Sequence, residues 1–342
     1  MTPRRLLAAA LAAALLAPLA ACSQSEADKL ADSEGLVVYS GRNEGIISPL
    51  FDAFTKATGI EVAVKYGSSA NLAATLLEEG DKTPADLFLS QDAGALGALQ
   101  DADRLRALDQ PLLSKVPAEL RSREGRWVGV SGRVRVLVYN PDLVPASMLP
   151  KTVFDLTGRQ WKGKLGIAPP NASFQAFVTA LRVQEGEARA KEFLEALKAN
   201  EPKTFEGNAL IVDEVDAGRL AAGLVNQYYL AEKIAEAGAG TVKAKNFYFP
   251  AGDLGGLVNV GGVGILDDAD TDPRAAQFVE FLLGKAGQEF FADVTKEYPL
   301  VAGFDADPSL PPLASLETPD IDLSKLDSLE QTLALLDEVG LT

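Results

Sequence analysis

From Gly35 onward, short apolar runs of strand length alternate with amphipathic stretches of helical period. That alternation restricts the chain to an α/β architecture with a mainly parallel sheet. Residues 35–40 (GLVVYS) read as the first strand, and Ile46, Leu50, Phe51 and Phe54 then share one helical face that ends near Gly59. Residues 60–66 (IEVAVKY) alternate apolar and polar as a strand does, and a helix follows over 70–79. The next pair is a strand over 86–90 and a helix over 93–99. The run 134–139 (VRVLVY) is long enough to cross into a second α/β region. That region has a strand over 165–168, helices over 174–185, 188–199 and 208–217, and a strand over 222–226. Residues 255–266 (GGLVNVGGVGIL) suit a return crossing, after which helices over 274–283 and 285–293 complete the first lobe. Leucines at 323, 326, 329, 333, 335 and 336 predict one closing helix over 323–339.

The chain of 342 residues exceeds what one hydrophobic core usually serves, so two lobes are expected. Lobe 1 would comprise 35–134 and 260–305, and lobe 2 would comprise 135–259 and 306–342. Two α/β lobes joined by two crossing strands describe a hinged binding protein with a central cleft, whose contact residues lie at strand carboxyl ends and helix starts.

The first 21 residues carry Arg4 and Arg5 followed by an apolar run, too short to span a bilayer and ending in Leu19-Ala20-Ala21-Cys22. A cysteine in that setting is similar to the lipobox of bacterial lipoproteins, in which the cysteine is acylated and becomes the mature N-terminus. Residues 22–34 are small and polar and read as a flexible tether. The expectation is an exported protein held through Cys22 on the outer face of the cytoplasmic membrane. Loss of Arg4 and Arg5 takes the formal charge from −16 to −18. Such acidity argues against nucleic-acid partners. With Cys22 the only cysteine, no intramolecular disulfide or thiolate cluster can form. The absence of histidine excludes Ser-His-Asp catalysis and every histidine metal site.

Tyr228 and Tyr229, two of seven tyrosines, stand side by side one residue beyond the predicted strand 222–226. Neighbouring side chains of an extended strand point apart, so convergence of the pair requires a turn or a helix start, and the polar Asn226-Gln227 fits such a break. On the residues alone the pair also reads as two amphipathic wall residues, rings buried and hydroxyls wet.

Five segments, VVYSGRNEGIISPLFDAFTKATGIEV (37–62), PADLFLSQDAGALGAL (84–99), GRVRVLVYNPDLV (132–144), APPNASFQAFV (168–178) and LVNQYYLAE (224–232), carry a resemblance to the ferric-binding proteins of bacterial iron ABC transporters. Their order and spacing hold over residues 35–303. The resemblance implies a type II periplasmic binding protein fold, no enzymatic activity, monomeric action and delivery of ferric iron to a membrane permease. It places the family's two phenolate iron ligands on Tyr228 and Tyr229. Fe(III) is a hard cation that prefers anionic oxygen, and its charge drives phenols to ionise far below pH 10.

The family's further histidine and glutamate ligands fall on Asn43 and Gln91, so neither is kept. Glu44 and Asp92 stand beside those positions as substitutes, although Glu44 reads better as a helix start and Asp92 as a helix cap or a water ligand. Tyr139 is a further candidate, set inside what reads as a hinge strand. Coordination left open in this way would be completed by a carbonate or phosphate, or by the chelator of a small ferric complex. The resemblance puts an anion at Asn171, Ala172 and Ser173, where free N–H groups of a helix start favour it, with Asn208 and Asn226 beside it. Arg133 or Arg135 would add a forked donor from the hinge.

Two other readings stand beside iron capture. One is a binding protein for an organic oxyanion such as a phosphonate or polyol phosphate. The other is an exported hydrolase using Asp213, Glu214 and Asp216, acids that on a helix more commonly form a solvated face.

Overall fold

A computed structural model describes Leu30 and residues 33–238, 240–267, 273–316 and 318–341. Cys22, the export signal and all of the tether except Leu30, Ser33 and Glu34 lie outside the described residues.

The first lobe opens as the sequence predicts: β1 (Leu36–Ser40), α1 (Glu44–Thr58), β2 (Val62–Tyr66), α2 (Ser69–Glu79), β3 (Leu87–Ser90) and α3 (Ala93–Asp101), followed by the single turn α4 (Gln110–Leu113). β1 lies between β2 and β3, parallel to both, and every residue of β1 is buried. Burial on both faces is why that strand reads as a continuous apolar run rather than an alternating one.

β4 (Trp127–Tyr139) is the main hinge strand and is longer than its apolar core implies. Its first half pairs antiparallel with β9 (Val258–Ile265), from Trp127 opposite Gly264 to Val134 opposite Val258. Its second half pairs antiparallel with β7 (Ala222–Asn226), from Arg135 opposite Asn226 to Tyr139 opposite Ala222. The strand therefore passes from one lobe's sheet to the other's between Val134 and Arg135. The crossing begins at Trp127, ahead of the predicted 134, because Gly129, Ser131, Gly132 and Arg133 interrupt the apolar pattern while remaining buried.

The second lobe builds on β5 (Leu165–Ile167), α5 (Ala172–Glu185), α6 (Glu187–Ala199), β6 (Lys203–Thr204), α7 (Asn208–Asp216), β7, α8 (Tyr228–Ala237) and β8 (Lys245–Phe247). β9 returns the chain, and α9 (Pro273–Leu282), α10 (Lys285–Asp293) and β10 (Tyr298–Pro299) finish lobe 1. The backbone of the sheet runs β2-β1-β3-β9-β4-β7-β5-β6. Lobe 1 has an aromatic core in which Phe51 and Phe54 of α1 meet Phe278 of α9 at centroid distances of 5.8 and 5.0 Å. Phe174, Phe177 and Phe193 fill lobe 2.

The C-terminal segment departs from both predictions made for it. Its leucines do not form one helix: a 3₁₀ stretch (Leu323–Asp327) is separated from α11 (Leu329–Val339) by Ser328, whose ψ of 50° is not helical. Nor does 306–342 belong wholly to lobe 2. Leu323–Asp327 lies against α3 of lobe 1, close enough that a Cβ on Gly97 or Gly94 would stand 1.9 and 2.2 Å from the carbonyl oxygens of Ser324 and Leu326. Only glycine permits that approach. Trp127 Nε1 also donates to Ser324 Oγ at 3.2 Å. α11 packs on α5 and α6 of lobe 2, where Thr332 and Thr179 hydroxyls meet at 2.8 Å and Arg182 Nη1 donates to the Ser328 carbonyl at 2.8 Å. Leucine spacing records a helical face and carries no signal for a kink imposed by two docking partners.

Candidate metal centre

β7 ends at Asn226, Gln227 adopts helical φ/ψ (−59°, −35°), and α8 begins at Tyr228. The change from strand to helix replaces opposed side chains with neighbouring ones. The two tyrosine rings lie stacked, with centroids 4.2 Å apart and planes 27° off parallel. Both rings are partly exposed and line a cleft of about 710 Å³ between the lobes.

Asn226 lines the cleft beside the tyrosines, and Arg133 and Arg135 enter it from β4. Both guanidiniums are buried, and the Nε atom of each has no hydrogen-bond partner. The Arg133 side chain makes no hydrogen bond to any described residue, although it acts through space on Tyr228, Asp92 and Glu297. An unpaired buried guanidinium is costly and marks a place where an anion is favoured. Arg135 donates to Ser173 Oγ at 3.1 Å and to the Leu224 carbonyl at 3.2 Å, its guanidinium over the rings of Phe174 and Phe177. Burial pushes Arg135 down to about 9, against the opposing influence of Tyr229.

Opposite the hinge arginines stands the start of α5. Asn171 caps it by accepting from the Ser173 N–H at 3.0 Å, and Ser173 Oγ donates to the same oxygen at 2.6 Å. Asn208, from the start of α7, donates to Ser173 Oγ at 2.9 Å and is buried with its own Oδ1 unpartnered. The helix begins at Ala172, two residues before the predicted start, and the Ala172 N–H has no partner among the described residues. Cap and anion site are compatible here, because the cap consumes one donor and leaves another.

From lobe 1 the cleft receives Gln91 and Asp92. Gln91 is tethered through its N–H to Ser69 Oγ at 2.8 Å. Asp92 caps α3, accepting from the Ala95 N–H at 3.0 Å. Burial raises the Asp92 carboxyl above its usual range, with the Ala95 bond and Arg133 opposing.

The other candidates do not reach the cleft. Asn43 and Glu44 are exposed at the start of α1, where Asn43 occupies the N-cap position and Glu44 the first turn, and only Gly41 of that loop lines the cleft. Tyr139 is half-buried at the far end of β4, paired with Ala222 and Lys245 in lobe 2. The acids of the hydrolase reading are held in surface ion pairs: Asp213 with Lys233 at 2.7 Å, Glu214 with Arg219 at 2.6 Å, and Asp216 with Lys233 at 3.7 Å.

Several features have no local signal in the sequence. Arg42, within the segment SGRNE, pairs with Glu297 at 2.7 Å, both buried, and Ser131 Oγ donates to the same carboxylate in a short hydrogen bond. Burial works against the charge of Glu297, but Arg42, Arg133 and Ser131 outweigh it and hold the carboxyl below its usual range. Tyr228 lies near this pair. Burial and the adjoining Tyr229 hold its phenol well above 10, against the pull of Arg133. Asn259, on β9, reaches the cleft and accepts from the Ala93 N–H at 3.2 Å. Leu326, Asp327, Leu329 and Glu330 line the cleft where the C-terminal segment passes between the lobes.

A sequence model of bacterial extracellular solute-binding proteins matches residues 82–325. The Fe(3+)-binding periplasmic protein of Serratia marcescens is 33% identical over 309 residues, covering 90% of this chain and 91% of the relative. Among solved structures, iron-bound HitA from Pseudomonas aeruginosa superposes with a TM-score of 0.81 at 32% identity, covering 90% of this chain and 99% of HitA. The Trichodesmium protein IdiA (FutA), in complex with iron and citrate ligands, gives a TM-score of 0.78 at 32% identity over 90% of this chain and all of that one. The two-lobe architecture is that of a type II periplasmic binding protein. Matched over most of its length in sequence and in structure, the chain belongs to the family of bacterial extracellular solute-binding proteins, among relatives named for binding ferric iron.

Proposed function

We propose that this protein captures ferric iron in the interlobe cleft, without catalysis, and delivers it to an ABC permease from the outer face of the cytoplasmic membrane, where acylated Cys22 tethers it. Tyr228 Oη and Tyr229 Oη are the metal ligands, both as phenolates. The observation that carries this reading is the stacked tyrosine pair at a helix start, facing two buried arginines with unpartnered Nε atoms.

Unpartnered donors in the cleft indicate what else enters. A trivalent ion with two phenolates keeps one positive charge, and Arg133 and Arg135 add two more. Glu297 is already balanced by Arg42, while Asp92, Asp327 and Glu330 bring carboxyl groups to the cleft wall. The donors left over, the Nε atoms of both arginines and the Ala172 N–H, favour an oxyanion beside the metal. Carbonate, phosphate or the carboxylates of a small chelator would rest on the Ala172 N–H, Ser173, Asn208 and the two arginines, with Asn171 and Asn226 at its border. The anion would supply the donors that Asn43 and Gln91 do not. Gln91, the one of the two that faces the cleft, is placed as a neutral neighbour from lobe 1.

Ferric titration of the purified protein tests this, read by the visible charge-transfer absorbance of phenolate–Fe(III). The expected result is a coloured one-to-one complex that tightens at least about tenfold on addition of bicarbonate or phosphate, and Arg133→Leu should lose most of that gain. A second reading, capture of an organic oxyanion without iron, draws on the same serine, asparagine and arginine cluster. Tight calorimetric binding of a phosphonate or polyol phosphate with no coloured ferric complex would favour it.

A further inference from the structure

Gln227 stands between the hinge and the tyrosine pair and is fully buried. Asn226 is the last residue of β7 paired with β4, opposite Arg135, so Gln227 falls opposite Val134 in the same register. Its backbone N–H donates to the Val134 carbonyl at 2.9 Å, as a ladder residue's would. Its backbone carbonyl has already turned into the start of α8 and instead accepts from Asn246 Nδ2 at 3.0 Å. The side chain takes its place: Oε1 accepts from the Val134 N–H at 2.8 Å. The strand-to-helix change therefore occurs without leaving a buried hinge N–H unpaired.

The other end of the amide reaches lobe 1. Nε2 donates to the Lys296 carbonyl at 3.2 Å. Lys296 has φ of 54°, a left-handed conformation uncommon for a residue with a side chain. It is anchored on both sides: its ammonium pairs with Asp307 at 3.0 Å, and the next residue is the buried Glu297 held by Arg42. β10 then joins lobe 1's half of β4 at Gly132 and Ser131. One buried amide thus spans the hinge strand, a fixed loop of lobe 1 and the residue that immediately precedes Tyr228.

We propose that Gln227 is a positioning residue that couples the aim of the tyrosine pair to the angle between the lobes. The inference rests on the ferric-iron reading. Rotation of lobe 2 about β4 either breaks the Nε2–Lys296 bond or drags the start of α8, so the bond resists reopening while both phenolates hold the metal. An amide serving only to satisfy buried backbone groups would contribute to folding but leave the metal's electronic environment unchanged.

The test compares iron-loaded wild type, Gln227→Met, Gln227→Glu and, as a control, Asn246→Ala, which removes a bond to Gln227 from within lobe 2 only. Gln227→Glu keeps an acceptor for Val134 and sets a carboxylate oxygen against the Lys296 carbonyl, giving a second route should the methionine variant fold poorly. Each is read by the charge-transfer maximum and by the rate of iron loss to excess EDTA. A shifted maximum and release about tenfold faster in the Gln227 variants, with Asn246→Ala like wild type, is expected, the factor matching the loss of one buried hydrogen bond. Unchanged band and release in the Gln227 variants would overturn the proposal, as would equal changes in Asn246→Ala. No charge-transfer band in wild type would instead refute the iron reading, and the coupling with it.

Discussion

Replacing Tyr228 and Tyr229 together by Phe is expected to remove the visible band and to weaken Fe(III) binding by more than about 100-fold, since loss of even a supporting partner costs a metal site up to that factor. The substitution deletes only two oxygens. The rings meet at 4.2 Å in a stacked arrangement that phenylalanines retain, so the unloaded variant should melt within a few degrees of wild type. Each single variant keeps one phenolate and should retain a weaker band. The two need not be equal, because Tyr228 feels Arg133 and Glu297, whereas Tyr229 stands on the side of Arg135. A double variant that still binds Fe(III) at wild-type strength would place the metal elsewhere. Absorbance titration beside a thermal melt separates that outcome from misfolding.

Iron binding should also be steeply linked to pH. Without metal, burial and the adjoining ring hold the Tyr228 phenol well above 10, so at neutral pH it is protonated. The metal binds the deprotonated form, and protons compete with it at every pH below the phenol pKa. Each phenol contributes about tenfold in affinity per pH unit, and the pair about 100-fold. The sign is fixed: affinity rises with pH and iron is lost on acidification. Stopped-flow binding in a weakly buffered indicator solution at fixed phosphate measures the protons released per ion. Tyr228→Phe should release about one proton fewer than wild type under the same conditions. Equal release from the two proteins would mean that Tyr228 does not enter the coordination sphere ionised.

Where local pattern determined the structure, the sequence was legible. The apolar run Ala222–Asn226 is β7, and residues 285–293 form α10, because strand burial and helical period leave their mark on consecutive residues. An end to the strand before Tyr228 was also legible, as a turn or a helix start, since two adjacent side chains can share a site only if the strand ends; that a helix follows was not. Legibility failed where distant segments decide the environment. Gly129, Ser131, Gly132 and Arg133 lie ahead of the predicted crossing, yet they belong to the buried first half of the hinge strand, enclosed by β9 and β10. The pairing of Arg42 with Glu297, 255 residues apart, has no periodicity to betray it. The role of Gln227 depends on a carbonyl 69 residues away. Asn43, at the position of a family ligand that this sequence does not keep, is exposed at the N-cap of α1, outside the residues that line the cleft. The proposed anion role of Asn171, Ser173 and Asn208 was accessible only through family resemblance, because a helix cap of the same composition accounts for those residues equally well.

Crystals of the iron-loaded protein, measured on both sides of the iron absorption edge, test the ferric assignment most directly. One anomalous peak within bonding distance of both Tyr228 Oη and Tyr229 Oη, with oxyanion density reaching Ser173 and the hinge arginines, is the predicted result. Iron bound at any place that neither hydroxyl touches would contradict it.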